Sequence, residues 1–242
     1  MVIKTKAIVL HALKYSEHQL IVDMLTEKTG RVSFICHIPR TQRGKVKKQY
    51  FQPLTVLDLE FDHRPQIRLQ HIRDLRLAWP FTTIPFDPEK IAISLFLAEF
   101  LIHATRDEQQ NPSLFQYIEN SIEWLDTQHC SFANFHLVFM MRLSRFIGFF
   151  PNLDHYVPGA FFDLRNGSFT LTSPLHSDFL EADESARIGL LMRMSYETMR
   201  LFRMSRQERN RCAQIILTYY RLHVPNFPEL KSLEVLQDLY AR

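Results

Sequence analysis

A run of positive charge without any acidic residue occupies positions 28–57 of this 242-residue chain. Five of its seven cations crowd into the ten residues PRTQRGKVKK, and aromatic residues stand near both ends of that cluster. Uncompensated cations bind phosphate backbones, and exposed aromatic rings stack on unpaired bases, so the run predicts a nucleic-acid site. The alternative is a solvated loop whose aromatic residues only pack a core. The residues of the predicted site are Lys28, Arg31, Phe34, Arg40, Arg43, Lys45, Lys47, Lys48 and Tyr50.

A second set of cations, all arginine, lies between positions 193 and 211 and is opposed only by Glu197 and Glu208. The planar guanidinium binds phosphate or carboxylate through paired hydrogen bonds, so this set predicts a second DNA patch or a partner-binding surface. The alternative is that the arginine stems only cover an apolar helix face. The set comprises Arg193, Arg200, Arg203, Arg206, Arg209 and Arg211.

The residues that usually carry catalysis or hold a metal form no recognisable motif. The 11 histidines include no pair with the spacing of a helical zinc motif, and Cys36, Cys130 and Cys212 are far apart in apolar runs. With only 6 glycines, the chain has no Gly-rich phosphate loop and no dinucleotide fingerprint. The sequence therefore predicts no catalytic residue, no metal and no cofactor.

Charge is divided unevenly along the chain. Residues 1–80 carry 14 basic against 7 acidic side chains, residues 81–186 carry 5 against 14, and residues 187–242 carry 10 against 5. The N-terminus lacks the pattern of a secretory signal, and no apolar stretch approaches ~18 residues, the length that crosses a membrane. These features predict a cytoplasmic, nucleoid-associated protein without a membrane segment.

The elements that must position the cations differ between the two parts of the chain. Residues 1–80 alternate with period 2 and predict five strands around a turn at Lys28-Thr29-Gly30, which fits a small barrel of the OB type. The basic cluster then lies between the third and fourth strands. The predicted strands are Ala7–Leu13, Gln19–Thr26, Arg31–Ile38, Leu54–Phe61 and Ile67–Leu77.

Residues 81–242 carry helical spacing with clear start signals, so the predicted fold class is α+β with a second, mainly helical domain. Asp87-Pro88 and Asn111-Pro112 each place a capping side chain before a proline, and Ser205 to Glu208 forms a capping box. A further helix is predicted over Phe132–Phe150, and the last helix begins at Pro228. A β-hairpin is predicted within about residues 148–174, on either side of Asn166-Gly167.

Together these residues resemble the RecO family of bacterial DNA repair and recombination mediators. The resemblance runs from TKAIVLHALKYSEHQLIVDMLTEKTGRVSF, through the basic loop, to YFQPLTVLDLEF. The GFFPNL segment and the closing PELKSL also fit the family pattern. The resemblance implies an OB barrel that binds single- and double-stranded DNA and anneals complementary strands. It also implies help in loading the recombinase onto DNA coated by single-strand-binding protein. The implied partners are RecR and the acidic C-terminal tail of single-strand-binding protein, for which the second arginine set is a candidate site.

One departure from the family pattern concerns zinc. Many members carry a four-cysteine zinc module after the GFFPNL element, whereas His155 and Pro158 stand here where its first cysteine pair would fall. We therefore expect no zinc and a hairpin held by aromatic packing. The packing residues are Tyr156, Phe161, Phe162 and Phe169.

Three functions remain to be compared. The first is a non-enzymatic DNA-binding mediator, as the resemblance implies. The second is an adaptor whose basic segments contact acidic protein partners and whose DNA binding is incidental. The third, a nucleic-acid-processing enzyme on an OB scaffold, has little support, because no acidic cluster suited to Mg²⁺ lies near the basic run.

Overall fold

A computed structural model of the chain describes residues 1–38 and 46–239. The chain forms two compact units, one comprising Met1–Thr127 with Leu230–Leu239 and the other comprising Gln128–Glu229. The first unit contains the barrel together with three helices, so it extends past the predicted domain boundary at residue 80. That boundary stays a prediction. None of the helices in the described ranges is both long and apolar enough to cross a membrane.

The first unit contains the predicted five-stranded barrel, which is confirmed. The strands close in the order β1-β2-β3-β5-β4, with β3 and β5 parallel and the other neighbours antiparallel. Alternate residues of each strand point inward, as in any closed sheet. The strands are β1 Val2–Lys14, β2 Gln19–Thr26, β3 Gly30–His37, β4 Val56–Asp62 and β5 Leu69–Leu77.

Two strands begin later than the sequence predicted, and local structure explains both differences. Leu54 has a left-handed backbone with φ of 64°, so extended structure starts only at Val56. The side chain of Gln70 donates to the carbonyl of Arg64 and accepts from its N–H, both at 2.9 Å. These two bonds hold the β4–β5 connection as a closed turn, which delays β5 until Leu69.

The predicted turn between β2 and β3 is confirmed, and it lies against the connection that follows the first helix. Gly30 has φ of 67°, and a Cβ there would lie 2.5 Å from the carbonyl oxygen of Glu108. The guanidinium of Arg31 donates to the carbonyl of Ile102 at 3.0 Å. Glycine is therefore required at position 30 for both its backbone conformation and its lack of a side chain.

The helices of the first unit are α1 Pro88–Ala104, α2 Pro112–Thr127 and the last helix of the chain, α6 Ser232–Leu239. The predicted caps are confirmed, since the Asp87 carboxylate accepts from two N–H groups of α1 and the Asn111 side chain accepts from one of α2. Helix α6 packs against α1 and begins at Ser232 rather than at Pro228. The Glu99 carboxylate of α1 accepts the N–H groups of Lys231 and Ser232 at 3.1 and 2.8 Å, which fixes that start.

A buried carboxylate at the end of α2 organises the entrance to α1. Asp126 accepts the N–H groups of Thr82, Thr83 and Ile84 at 2.7, 2.9 and 2.8 Å. Burial by itself raises the pKa of Asp126, but these N–H groups outweigh it and hold the pKa below its ordinary value. The buried ammonium of Lys90 donates to the Thr83 hydroxyl at 2.5 Å and lies 3.4 Å from the Asp126 carbonyl oxygen.

The second unit contains the helices α3 Phe135–Phe146, α4 Ala182–Arg193 and α5 Arg206–His223, and a small sheet. The capping box at the start of α5 is confirmed, with Ser205 and Glu208 bonded to each other's backbone N–H. Helix α3 is shorter than predicted because the chain turns at Gly148, whose φ is 91°. The sheet consists of β6 Phe161–Asp163, β7 Ser168–Thr170 and β8 Phe179–Leu180 in the order β7-β6-β8.

The predicted hairpin is β6 and β7 of this sheet, and its aromatic side chains pack on one another. The ring of Phe169 lies edge-on to those of Phe162 and Tyr156, each with centroids 4.9 Å apart, and Phe161 contacts Phe179. The two-residue strand β8 was missed, since so short a strand has no detectable period. No group of three or more potential metal ligands occurs within residues 1–38 and 46–239. The expected absence of zinc stays a prediction.

Candidate nucleic-acid interface

One end of the barrel gathers the loops that flank the basic cluster, and we call it the loop end. It consists of residues 14–19, 37–38 and 46–53. The pairing of Lys14 with Leu20 and of Gln19 with His37 brings the ends of β1 and β3 beside the start of β2. The Ile38 N–H donates to the His18 carbonyl at 2.8 Å and continues this pairing beyond the strands.

The loop end carries cations that no acidic side chain neutralises in the described part of the chain. Lys14, Lys47 and Lys48 are exposed and form no ion pair there. Glu17 is the one acidic residue among the described residues of the loop end, and its carboxylate lies 3.5 Å from the His18 ring. Positive charge of this kind can bind phosphate groups.

A groove crosses the loop end between β1 and the short 3-10 helix Lys48–Phe51. Its volume is about 460 Å³, and polar and apolar side chains line it in similar measure. Two of the exposed lysines, Lys14 and Lys48, stand at this groove. The other lining residues include His11, Gln19, Ile38, Phe51 and Gln52.

The remaining described cations of the predicted site lie elsewhere. Lys28 follows β2 at the opposite end of the barrel. The eight residues of β2, at the rise of an extended strand, separate it from the loop end by about 25 Å. Lys28 lies at a cleft with Lys4, Glu27 and Asp58, where charges of both signs meet. The structure therefore does not bring Lys28 together with Lys47 and Lys48.

Arg31 is the cation of the predicted site that has an internal role. Its guanidinium holds the Ile102 carbonyl near the end of α1, and its backbone N–H donates to Glu108. Burial lowers the pKa of Arg31, an effect that nearby Asp23 partly offsets. A phosphate contact would require Arg31 to leave the helix end, and its role in DNA binding stays a prediction.

The burial of Phe34 contradicts its predicted stacking role. Its side chain has 0% exposure and packs edge-on against Phe61 inside the barrel, with centroids 5.0 Å apart. Tyr50 is half-buried against the same core. The alternative of core-packing aromatics therefore holds for Phe34 and largely for Tyr50. Arg40, Arg43 and Lys45 lie outside the described residues, and their role stays a prediction.

Tyr15, an exposed aromatic residue at the loop end, was not among the site residues predicted from the sequence. Its side chain is 62% exposed, and its backbone forms the turn between β1 and β2. The N–H groups of Tyr15 and Ser16 both donate to the Gln19 carbonyl, at 3.0 and 3.1 Å. The available signal was an aromatic residue in a turn between two predicted strands, and it was overlooked because the charge run begins 13 residues later.

The second arginine set is only partly available to a ligand. Arg211 makes a paired salt bridge to Glu184 at 2.5 and 2.6 Å, and this hydrogen bonding lowers the pKa of Glu184. Arg209 donates to the Asn134 side chain at 2.9 Å, and Arg193 donates to the Gly189 carbonyl at 3.0 Å. Arg206 is half-buried, whereas Arg200 and Arg203 are exposed.

A closed barrel of this strand order, with a β1–β2 turn and a cationic loop at one end, defines an OB-type barrel protein. Residues 1–81 match the family model described as Recombination protein O N terminal, and residues 85–234 match Recombination protein O C terminal. The chain belongs to the RecO family.

Relatives match along the whole chain. It is 52% identical over 241 residues to the DNA repair protein RecO of Phocaeicola vulgatus, covering 100% of both chains. It is 54% identical to that of Bacteroides fragilis over 241 residues, covering 99% of this chain and 100% of the relative. The DNA repair protein RecO of Porphyromonas gingivalis is 33% identical over 246 residues, with 99% and 100% coverage.

Proposed function

We propose that this protein is a DNA repair mediator that binds single- and double-stranded DNA and anneals complementary strands without catalysing a reaction. The observation that carries the proposal is the loop end, where three exposed lysines lack acidic partners in the described part of the chain. The names of its full-length relatives, DNA repair protein RecO, support the same role.

Annealing by such a protein requires that the repulsion between two phosphate backbones be reduced. Lysine ammonium groups replace the condensed counterions of a strand, and the released ions make binding favourable at low salt. Two strands held close together can then pair by their own base-pairing energy. No bond is broken in this process, so the protein acts by charge and proximity alone.

The proposal extends to protein partners. RecR and the acidic tail of single-strand-binding protein are the expected partners, and through them the protein would assist recombinase loading on coated DNA. Within the second arginine set, Arg200 and Arg203 are exposed and have no hydrogen-bond or ion-pair partner in the described residues, so an acidic tail could reach them. The adaptor function stays as the second candidate, because an exposed arginine pair can bind carboxylates as readily as phosphates.

The test removes the three loop-end lysines together, as Lys14→Ala, Lys47→Ala and Lys48→Ala. We expect weaker binding and slower annealing, and a log–log salt slope on single strands that is smaller by up to about 2, at ~0.7 per phosphate contact. Fluorescence anisotropy at several salt concentrations measures the slope.

A matched control removes three cations that are already paired on the barrel. Lys4, Arg73 and Arg76 form salt bridges with Glu60, Asp62 and Asp58 at 3.2, 2.6 and 3.2 Å. Changing these three to alanine alters the net charge equally but should leave the salt slope nearly unchanged. Equal losses in both variants would contradict a site at the loop end. Tail-peptide binding without DNA binding would favour the adaptor.

A further inference from the structure

Tyr15 is a large aromatic residue at the loop end, and most of its surface is exposed. In the described residues its ring packs on no other ring, and its hydroxyl forms no hydrogen bond. Leu13, two residues earlier on the same face of β1, is 55% exposed. Leu13 and Tyr15 thus expose apolar surface on either side of Lys14 in the sequence.

The backbone under this surface is fixed rather than free. The Gln19 carbonyl accepts two N–H groups of the turn, and the Ser16 hydroxyl lies 3.4 Å from the Gln19 side-chain oxygen. The Ile38 N–H joins the turn to the end of β3 through the His18 carbonyl. Little backbone entropy is therefore lost when a ligand contacts the Tyr15 ring.

The surroundings of Tyr15 decide which ligand fits it. Lys14 precedes it in the sequence and, with Lys48, lines the groove of the loop end, so ammonium groups and an aromatic ring lie at the same end of the barrel. An unpaired strand presents both groups together, because its phosphates alternate with bases that are free to stack. A duplex keeps its bases stacked on one another and offers only phosphates and groove edges.

We propose that Tyr15 is a base-stacking residue and that the loop end selects unpaired strands. This inference rests on the proposed function, since it assumes that the protein binds DNA. In this arrangement the lysines bind either form of DNA, whereas Tyr15 adds affinity only for a strand with accessible bases. Single strands would therefore be held with their bases ordered before a complementary strand arrives.

The test compares Tyr15→Ala, Tyr15→Phe and the wild-type protein on a single-stranded oligonucleotide and on a duplex of equal length. We expect Tyr15→Ala to weaken single-strand binding about 5- to 150-fold, the range for losing one stacked base. Duplex binding should change less than about twofold, and Tyr15→Phe should behave as wild type, because the ring is retained. A single strand with abasic sites should bind wild type as weakly as the ordinary strand binds Tyr15→Ala.

A matched control is Phe86→Ala, which removes an aromatic side chain that is 81% exposed and lies outside the loop end. It should leave both affinities unchanged. Unchanged single-strand affinity in Tyr15→Ala, or an equal loss on duplex, would overturn the stacking role while leaving the proposed function intact. Wild-type protein that binds neither DNA at low salt would overturn both.

Discussion

At the scale of single residues, two histidines near the start of the second unit have opposite environments. His136 in α3 is buried, and burial lowers its pKa to about 3, with a smaller contribution from Arg209. His129 is exposed. A buried neutral imidazole must take up a proton when the chain unfolds at a pH below the ordinary pKa of histidine.

This difference predicts a pH dependence of stability. Because the folded pKa of His136 lies below the unfolded value of 6.5, the unfolded state binds more protons between pH 6.5 and 3, and stability falls as the pH is lowered through that window. The loss approaches ~1.4 kcal/mol per pH unit. We expect His136→Gln to be less stable than wild type at pH 7 but to lose less between pH 7 and 5, as measured by urea unfolding.

The exposed His129 provides the comparison. His129→Gln is the control variant, because it removes an exposed imidazole from the same unit. A His136→Gln variant whose stability declined as steeply as wild type below pH 6.5 would show that other groups dominate the acid response.

Single residues also show what the sequence could and could not predict about the site. The cations at Lys47 and Lys48 were found because charge runs are visible without a structure. The internal role of Arg31 was not, since its partner Ile102 lies 71 residues away. Phe34 was misjudged because inward and outward positions of β3 were not separated, although the period-2 pattern contains that information.

At the scale of elements, the entrance to α1 depends on two carboxylates of very different environment. Asp87 caps α1 from a half-buried position, whereas Asp126 is buried and accepts three backbone N–H groups. We expect Asp87→Ala to lower the free energy of unfolding by about 1 kcal/mol, as for an ordinary cap. Asp126→Ala should cost about 3–5 kcal/mol, because it removes the acceptor of three backbone N–H groups and one of the two carboxylates near buried Lys90.

Chemical denaturation of both variants measures these costs. Circular dichroism should show that each retains native helix content at low denaturant. If Asp126→Ala were no more destabilising than Asp87→Ala, the buried network would not be what holds the segment 82–84 against α2.

The elements themselves were largely predictable, and the exceptions have long-range causes. Helix starts at Asp87, Asn111 and Ser205 were correct because each cap is local in sequence. The start of α6 was placed at Pro228, whereas Glu99, more than 130 residues earlier, fixes it at Ser232. A start signal supplied by another element cannot be read from the segment that it caps.

At the scale of the whole molecule, the barrel depends on helices that lie outside the barrel sequence. Ile8, Leu10 and Leu25 are buried with exposures of 0%, 1% and 3%, yet they do not belong to the core inside the barrel. Helix α1 packs on β1 and covers this outer face. Exposing three such side chains costs about 4–9 kcal/mol, comparable to the total stability of a typical domain.

A fragment comprising residues 1–81 should therefore be unstable, even though it matches one complete family model. We expect it to bind a hydrophobic dye strongly and to unfold at a lower temperature than a fragment of residues 1–127, which retains α1 and α2. Equal dye binding and equal melting temperatures for the two fragments would show that the barrel is independent of the helices.

The return of α6 to the first unit also fixes when that unit can be completed during synthesis. Residues 1–127 leave the ribosome first, but Leu230–Leu239 follow only after the whole second unit has been made. At ~5–20 residues per second, the delay is roughly 6 to 20 s. During those seconds the surface of α1 that receives α6 is uncovered on the nascent chain, where a chaperone could bind it.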